Sequence, residues 1–142
     1  MATAETEVQN VVGRLVEVRV RTLRNLEDVA ALGGAMQRVV QPVKGAIVVC
    51  ADYRDAGVLS QEVADAFLGI LATYNARIER SGMLLSTQHA TFNLQIERIV
   101  REAAHPARRT FRVARELSAW LGEVLGPGER VRLSAFLGSP PA

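Results

Sequence analysis

The chain has 142 residues, of which 49% are apolar and 23% charged, with a formal net charge of +2. That length fits one domain with a real core, and the apolar fraction with charges of both signs argues against disorder. The longest apolar run, GAIVVCA, falls far short of the roughly 18 to 20 residues of a membrane span, so no segment is expected to cross a bilayer.

Residues 1–11 hold acidic side chains and no apolar core of a signal peptide. They read as a flexible N-terminus, and the protein is expected in the cytoplasm. In RLVEVRVRT, Val16, Val18 and Val20 alternate with Glu17, Arg19 and Arg21, the period of a half-buried first strand near a sheet edge. Asn25 is placed to cap a helix carrying Leu26, Val29, Ala30, Gly33, Met36 and Val40 on one stripe, with Pro42 ending it. The Gly33-Gly34 pair implies either a weak helix or a close neighbour against its backbone.

GAIVVCA suits a strand buried on both faces, as in a parallel sheet. From Ser60, the positions Val63, Ala66, Phe67, Ile70, Leu71, Tyr74 and Ile78 predict one long helix. GMLLS at 82–86 reads as a short strand, and Phe92, Ile96, Ile99, Val100 and Ala103 form another helical stripe that Pro106 keeps from continuing. RTFRV is a further strand. ARELSAWLGEVL is a helix with Leu117, Trp120, Leu121 and Val124 inward, and Pro127 favours a turn or a fresh helix start. The alternation implies β-α-β units: an α/β fold with a small, mostly parallel sheet of four or five strands flanked by four or five helices. One domain over 12–137 and a disordered tail over 138–142 complete the organisation.

Three patterns carry a resemblance: the apolar strand ending in Asp52 with a helix from Ser60, the RSGMLLS strand entry, and RRTFRV followed by ARELSAWL. Together they resemble the STAS/SpoIIAA-like superfamily, whose stand-alone bacterial members are described as STAS/SEC14-like, over roughly residues 12 to 125. The resemblance implies no enzyme activity, no cofactor, and work done by binding protein partners or small ligands. In the anti-sigma factor antagonists of that family, a serine at the strand-to-helix loop is phosphorylated, and its charge at a helix N-terminus controls partner binding. Here the corresponding stretch is VLSQEVAD. Ser60 falls where that motif has its Asp, and Gln61 and Glu62 occupy the phosphoacceptor region. Ser60 is therefore expected to be an N-cap, and Glu62 a fixed negative charge with no hydroxyl to modify.

Catalytic chemistry would draw on His89, His105, Cys50, Asp52 and Asp55, but their spacing matches no nucleophile-base, phosphate-loop or metal pattern. Cys50, the one cysteine, excludes an intramolecular disulfide and reads as a small buried residue. Lys44 is the one lysine, and no nucleic-acid partner is expected. The basic stretch from Arg98 to Arg115 reads as a salt-bridged solvated surface, or as an anion or acidic-partner patch of Arg101, Arg108, Arg109 and Arg112. The expected function is a regulatory interaction module that binds a protein partner, or another copy of itself, through Asp55, Gly57, Ser60, Gln61 and Glu62. The alternative is a SEC14-like carrier of a lipid or other small hydrophobic ligand, with Gly33 and Gly34 permitting a moving lid.

Overall fold

The computed structural model describes residues 6–138. In chain order the elements are β1 (Thr6–Gln9), β2 (Leu15–Val20), α1 (Leu26–Val40), β3 (Ile47–Asp52), α2 (Gln61–Thr73), β4 (Ile78–Leu84), α3 (Ala90–Ala103), β5 (Arg108–Phe111), α4 (Ala114–Gly122) and α5 (Pro127–Gly138). The strands form one sheet in the order β1-β2-β3-β4-β5, with β1 antiparallel to β2 and every other pair parallel. The expected α/β class holds.

Each parallel strand pairs with the next in sequence, so α1, α2 and α3 are successive crossovers, and all three pack on one face of the sheet. That face presents Val16, Val18, Val20, Val49, Ala51 and Met83 to Val29 and Leu32 of α1, Phe67 of α2 and Ile96 of α3. The opposite face presents Leu15, Val48, Cys50 and Leu84 to Leu117 and Leu121 of α4 and to Leu133 and Phe136 of α5. Because β3 is buried at every position, its unbroken apolar run is the one the sequence requires.

Local signals explain most boundaries. Asn25 Oδ1 accepts from Asp28 N at 2.9 Å and caps α1. Gly33 lies where an added Cβ would sit 3.3 Å from Ile70 Cδ1, so the glycine pair marks a close approach of α1 to α2. Gly13 turns the β1–β2 connection in the left-handed region, at φ +58°.

Several expectations need correction. Thr6–Gln9 of the stretch expected to be flexible is a strand, because Val8 packs on the core and its backbone pairs with Val18. Residues 1–5 and 139–142 lie outside the described residues, and Gly138 is the last residue of α5. The strand carrying Val16 is the second and is interior to the sheet. Its alternate face is not solvated, since α5 covers Glu17, which is 1% exposed. Ile78 does not extend α2. That helix ends at Thr73, and a 3-10 turn at Asn75–Arg77 leads into β4. Arg77 stabilises the turn by donating to the carbonyls of Val43 and Gly45, and Asn75 donates to the Ala103 carbonyl.

Glu17 is held by a two-pronged bond from Arg132, with Nε to Oε2 at 2.6 Å and Nη2 to Oε1 at 2.7 Å, and Gln9 donates a further bond at 2.9 Å. Replacing one member of such a pair leaves the other charge buried without compensation, whereas replacing both with apolar groups removes the desolvation cost as well. Arg132→Leu is expected to cost about 3 kcal/mol in urea unfolding, and adding Glu17→Leu to recover most of that loss. Additive losses from the two changes would show that the pair does not couple α5 to the sheet.

Candidate functional site

The C-terminal ends of β3 and β4 open onto the loop at 53–60 and the segment at 85–89, the edge of a parallel sheet where α/β proteins place their ligands. The 53–60 loop is fixed from inside. Ala56 and Leu59 are buried, and Ala56 N donates to the Tyr53 carbonyl at 3.0 Å. Gln95 of α3 accepts from Leu59 N at 2.9 Å and donates to Leu59 O at 2.8 Å, replacing a strand partner with a side chain. His89 Nδ1 donates to the Ala56 carbonyl at 2.7 Å. Ser60 Oγ accepts from Val63 N at 3.2 Å, the capping role expected of it.

The outer side of the same loop faces solvent. Gly57, Ser60, Gln61 and Glu62 are exposed, Asp55 is half-buried, and Val58 is 66% exposed between the exposed Gly57 and the buried Leu59. Gln61 Nε2 donates to Asp65 Oδ1 at 2.8 Å, which settles it along the first turn of α2. Gly57 and Val58 also form one wall of an open groove whose other wall is Gln88 to Phe92. The five residues expected to form a partner surface thus lie on one continuous stretch of loop and helix start. Val58, Gln95 and His89 were not among them; Val58 was legible as an apolar residue inside a polar loop.

At the start of this loop, Asp52 is 2% exposed on the α5 side of the sheet. Arg54 reaches back to it with Nε at 3.0 Å and Nη2 at 2.9 Å, and Arg19, its register partner on β2, donates at 3.2 Å. Burial pushes the Asp52 carboxyl up, but the hydrogen bonds and charge of Arg54, with the bond from Arg19, outweigh it and hold the group below its usual value. Cys50 is fully buried on the same face. Burial first, then the charges of Asp52 and Glu17, push its thiol far up, so it is an inert thiol rather than a nucleophile.

The residues weighed for catalysis are not brought together. His105 Nε2 donates to the Ile78 carbonyl and its Nδ1 accepts from Ala107 N, so it fastens the entry to β5. Among the described residues neither histidine is hydrogen-bonded to a cysteine, hydroxyl or carboxylate, and no group of three metal-ligating side chains converges.

The pleat turns one of the four arginines weighed as a patch away from the other three, although Arg101, Arg108 and Arg109 all border one open groove with Glu97, Val100 and Thr110. Arg109 points to the α4 side with its guanidinium 4.8 Å from the Trp120 ring centre, Arg112 pairs with Glu97 at 2.9 Å, and Arg101 is exposed on α3. Arg108 points the other way and is 4% exposed, so its guanidinium is buried rather than offered at the surface. Its Nη1 donates to Asn75 Oδ1 at 2.8 Å and its Nη2 to the Leu71 carbonyl at 3.2 Å, at the end of α2. Beside it lies an internal cavity of about 30 Å³ between the sheet, α1 and α2, with Val18, Leu32, Val49 and Phe67 in its wall.

No family model, curated protein or solved structure matches the chain. Among the described residues no helix is long and apolar enough to cross a membrane.

The Asp52 carboxyl, with a folded-state value below the unfolded one, stabilises the fold above about pH 4, and that contribution is lost as pH falls through the lower folded-state value. Thermal midpoints measured from pH 6 to pH 2 (~ values bracketing the carboxylate range) are expected to fall more steeply for the wild type than for Asp52→Asn. Parallel curves would remove Asp52 from the acid-labile set.

Proposed function

We propose that the chain is a non-enzymatic regulatory interaction module of the STAS/SpoIIAA-like type, which binds a protein partner or a second copy of itself through the loop and helix start at 55–62. The observation that carries the reading is the contrast between the two sides of that loop. Its inner side is fixed by Gln95, His89 and the Ser60 cap, while its outer side presents Val58 among Gly57, Gln61 and Glu62. Binding through a loop already held in shape loses little conformational entropy, and an exposed apolar residue ringed by polar ones has the composition of an interface centre. The sequential five-stranded sheet with flanking helices agrees with the architecture that the resemblance implies.

Regulation by phosphorylation at the family position has no hydroxyl to act on. Gln61 and Glu62 replace it, and Glu62 sits permanently in the first turn of α2, where a negative charge is favoured by the helix dipole. On this reading the surface is constitutively in the charged form that a kinase would otherwise create.

The cavity beneath α1 and α2 supports a second reading, carriage of a lipid or other small hydrophobic ligand. Its volume of about 30 Å³ has room for about two water molecules, and a lipid chain would require α1 and α2 to part at the Gly33–Ile70 contact. Organic extraction of protein purified from its own host, followed by mass spectrometry, distinguishes the two: stoichiometric lipid supports carriage and its absence removes the lipid form of it.

For the preferred reading, protein purified gently from its host is expected to show a partner protein or a homo-oligomer by native mass spectrometry. Glu62→Arg and Gly57→Trp, at exposed positions with open space around Gly57, are expected to weaken that assembly at least about tenfold while the circular dichroism spectrum stays unchanged. An assembly indifferent to both substitutions would place the interface elsewhere.

A further inference from the structure

Arg108 is a buried cation whose hydrogen-bonded partners, Asn75 Oδ1 and the Leu71 carbonyl, are both neutral. Its Nε is buried with no partner in the protein. Such an arrangement is costly, because a guanidinium taken out of water needs a compensating charge or a full set of acceptors. The carbonyl of Leu71 lies in the last turn of α2, whose dipole offers partial negative charge, but it engages Nη2 and leaves the Nε–H unsatisfied. No Asp or Glu is among the residues lining the adjacent cavity.

Two hydroxyl-bearing residues border the same space. Ser81 is the register partner of Arg108 on the neighbouring strand, so their side chains leave the sheet on the same side, and Tyr53 comes from the end of β3. Both are 3% exposed. Burial lowers the Arg108 guanidinium from its ordinary value and pushes the Tyr53 phenol well up, so Tyr53 is a neutral hydroxyl and offers Arg108 no counter-charge. The rest of the wall is apolar, and the lining residues that reach the surface, Ile70, Leu71 and Tyr74, all belong to the end of α2. A small solute therefore has a route in beneath that helix end.

We infer that this cavity is a binding site for a small monovalent anion of the size of formate or chloride, held by the Arg108 guanidinium with the hydroxyls of Tyr53 and Ser81. The anion supplies the missing counter-charge to a guanidinium that borders the cavity, and fits the volume of about 30 Å³. Dianions are excluded by the single positive charge, and bulky carboxylates by the apolar wall. The site is separate from the partner surface at 55–62, and its ligand is an anion rather than the hydrophobic molecule of the second reading above.

The test is a titration of the intact protein with sodium formate at constant ionic strength, following the Arg108 Nε–H signal by proton–nitrogen correlation NMR. Sodium gluconate serves as the bulky control. A saturable shift with formate, absent with gluconate and accompanied by a rise in thermal midpoint, is expected. Tyr53→Phe is expected to weaken formate binding about tenfold, since it removes one hydrogen bond to a charged group. Arg108→Met should abolish the formate-dependent rise in thermal midpoint, and the milder Tyr53→Phe keeps the test decisive if that variant fails to fold. No saturable response to formate, or an equal response to gluconate, would overturn the site. Neither result changes what Glu62→Arg does to a partner, so this inference and the interaction reading fail independently.

Discussion

The fold depends on how it disposes of two charges on the inner face of β2. Glu17 and Arg19 point toward α5, and neither is left to water. Arg132 grips Glu17 from α5, while Arg19 is divided between Asp52 on β3, the Phe136 carbonyl and the Phe136 ring, 4.5 Å from its guanidinium carbon. Remove α5 and a carboxylate on an interior strand loses its counter-ion, so the terminal helix is required by the sheet rather than added to it. The same contacts give register. A salt bridge with forked geometry tolerates little sliding, and apolar contacts from Leu133 and Phe136 alone would tolerate more.

The two faces of the sheet solve the buried-charge problem differently. On the α5 side every buried charge meets an opposite one: Glu17 with Arg132, and Asp52 with Arg19 and Arg54. On the crossover side Arg108 meets neutral oxygens only, through Asn75 and Leu71. If its role were confined to closing the end of α2, two donors would suffice and an apolar stem with a shorter head would be cheaper to bury. The unmatched Nε of a cation with no counter-charge is the observation from which the anion proposal starts.

Element type and order were legible because this sheet is singly layered with short connections, so each local pattern reports directly on its surroundings. The β-branched run of β3 announced a central strand, Asn25 and Ser60 announced helix starts, and Pro127 a fresh helix. Where a distant element decided the outcome, local pattern misled. The alternation in β2 has the form of a half-solvated strand, and only α5, more than a hundred residues on, turns its polar side into an ion-paired interior. Ile78 continues the helical spacing of α2, yet the Asn75 and Arg77 side chains bond across to α3 and to the turn before β3, and end the helix first. Arg101, Arg108, Arg109 and Arg112 read as one patch only where closeness in sequence stands for closeness in space. In a strand, adjacent residues face opposite ways, and the parity of Ser81, Met83 and Leu85 was the available sign that a partner strand would turn Arg108 inward.

Tyr53 connects the two candidate sites. Its ring sits edge-on to Phe67 of α2 at 5.8 Å and tilted against Phe92 of α3 at 6.4 Å, it borders the cavity, and its carbonyl accepts the turn bond that begins the 53–60 loop. A group that engages the Tyr53 hydroxyl therefore acts on a ring whose position is shared by both helices and by the loop backbone. Because the loop is further pinned to α3 through Gln95, and α3 is packed against that same ring through Phe92, a displacement of Tyr53 has no slack segment in which to dissipate. The wall of the cavity and the inner side of the loop at 53–60 are for that reason parts of one packed unit.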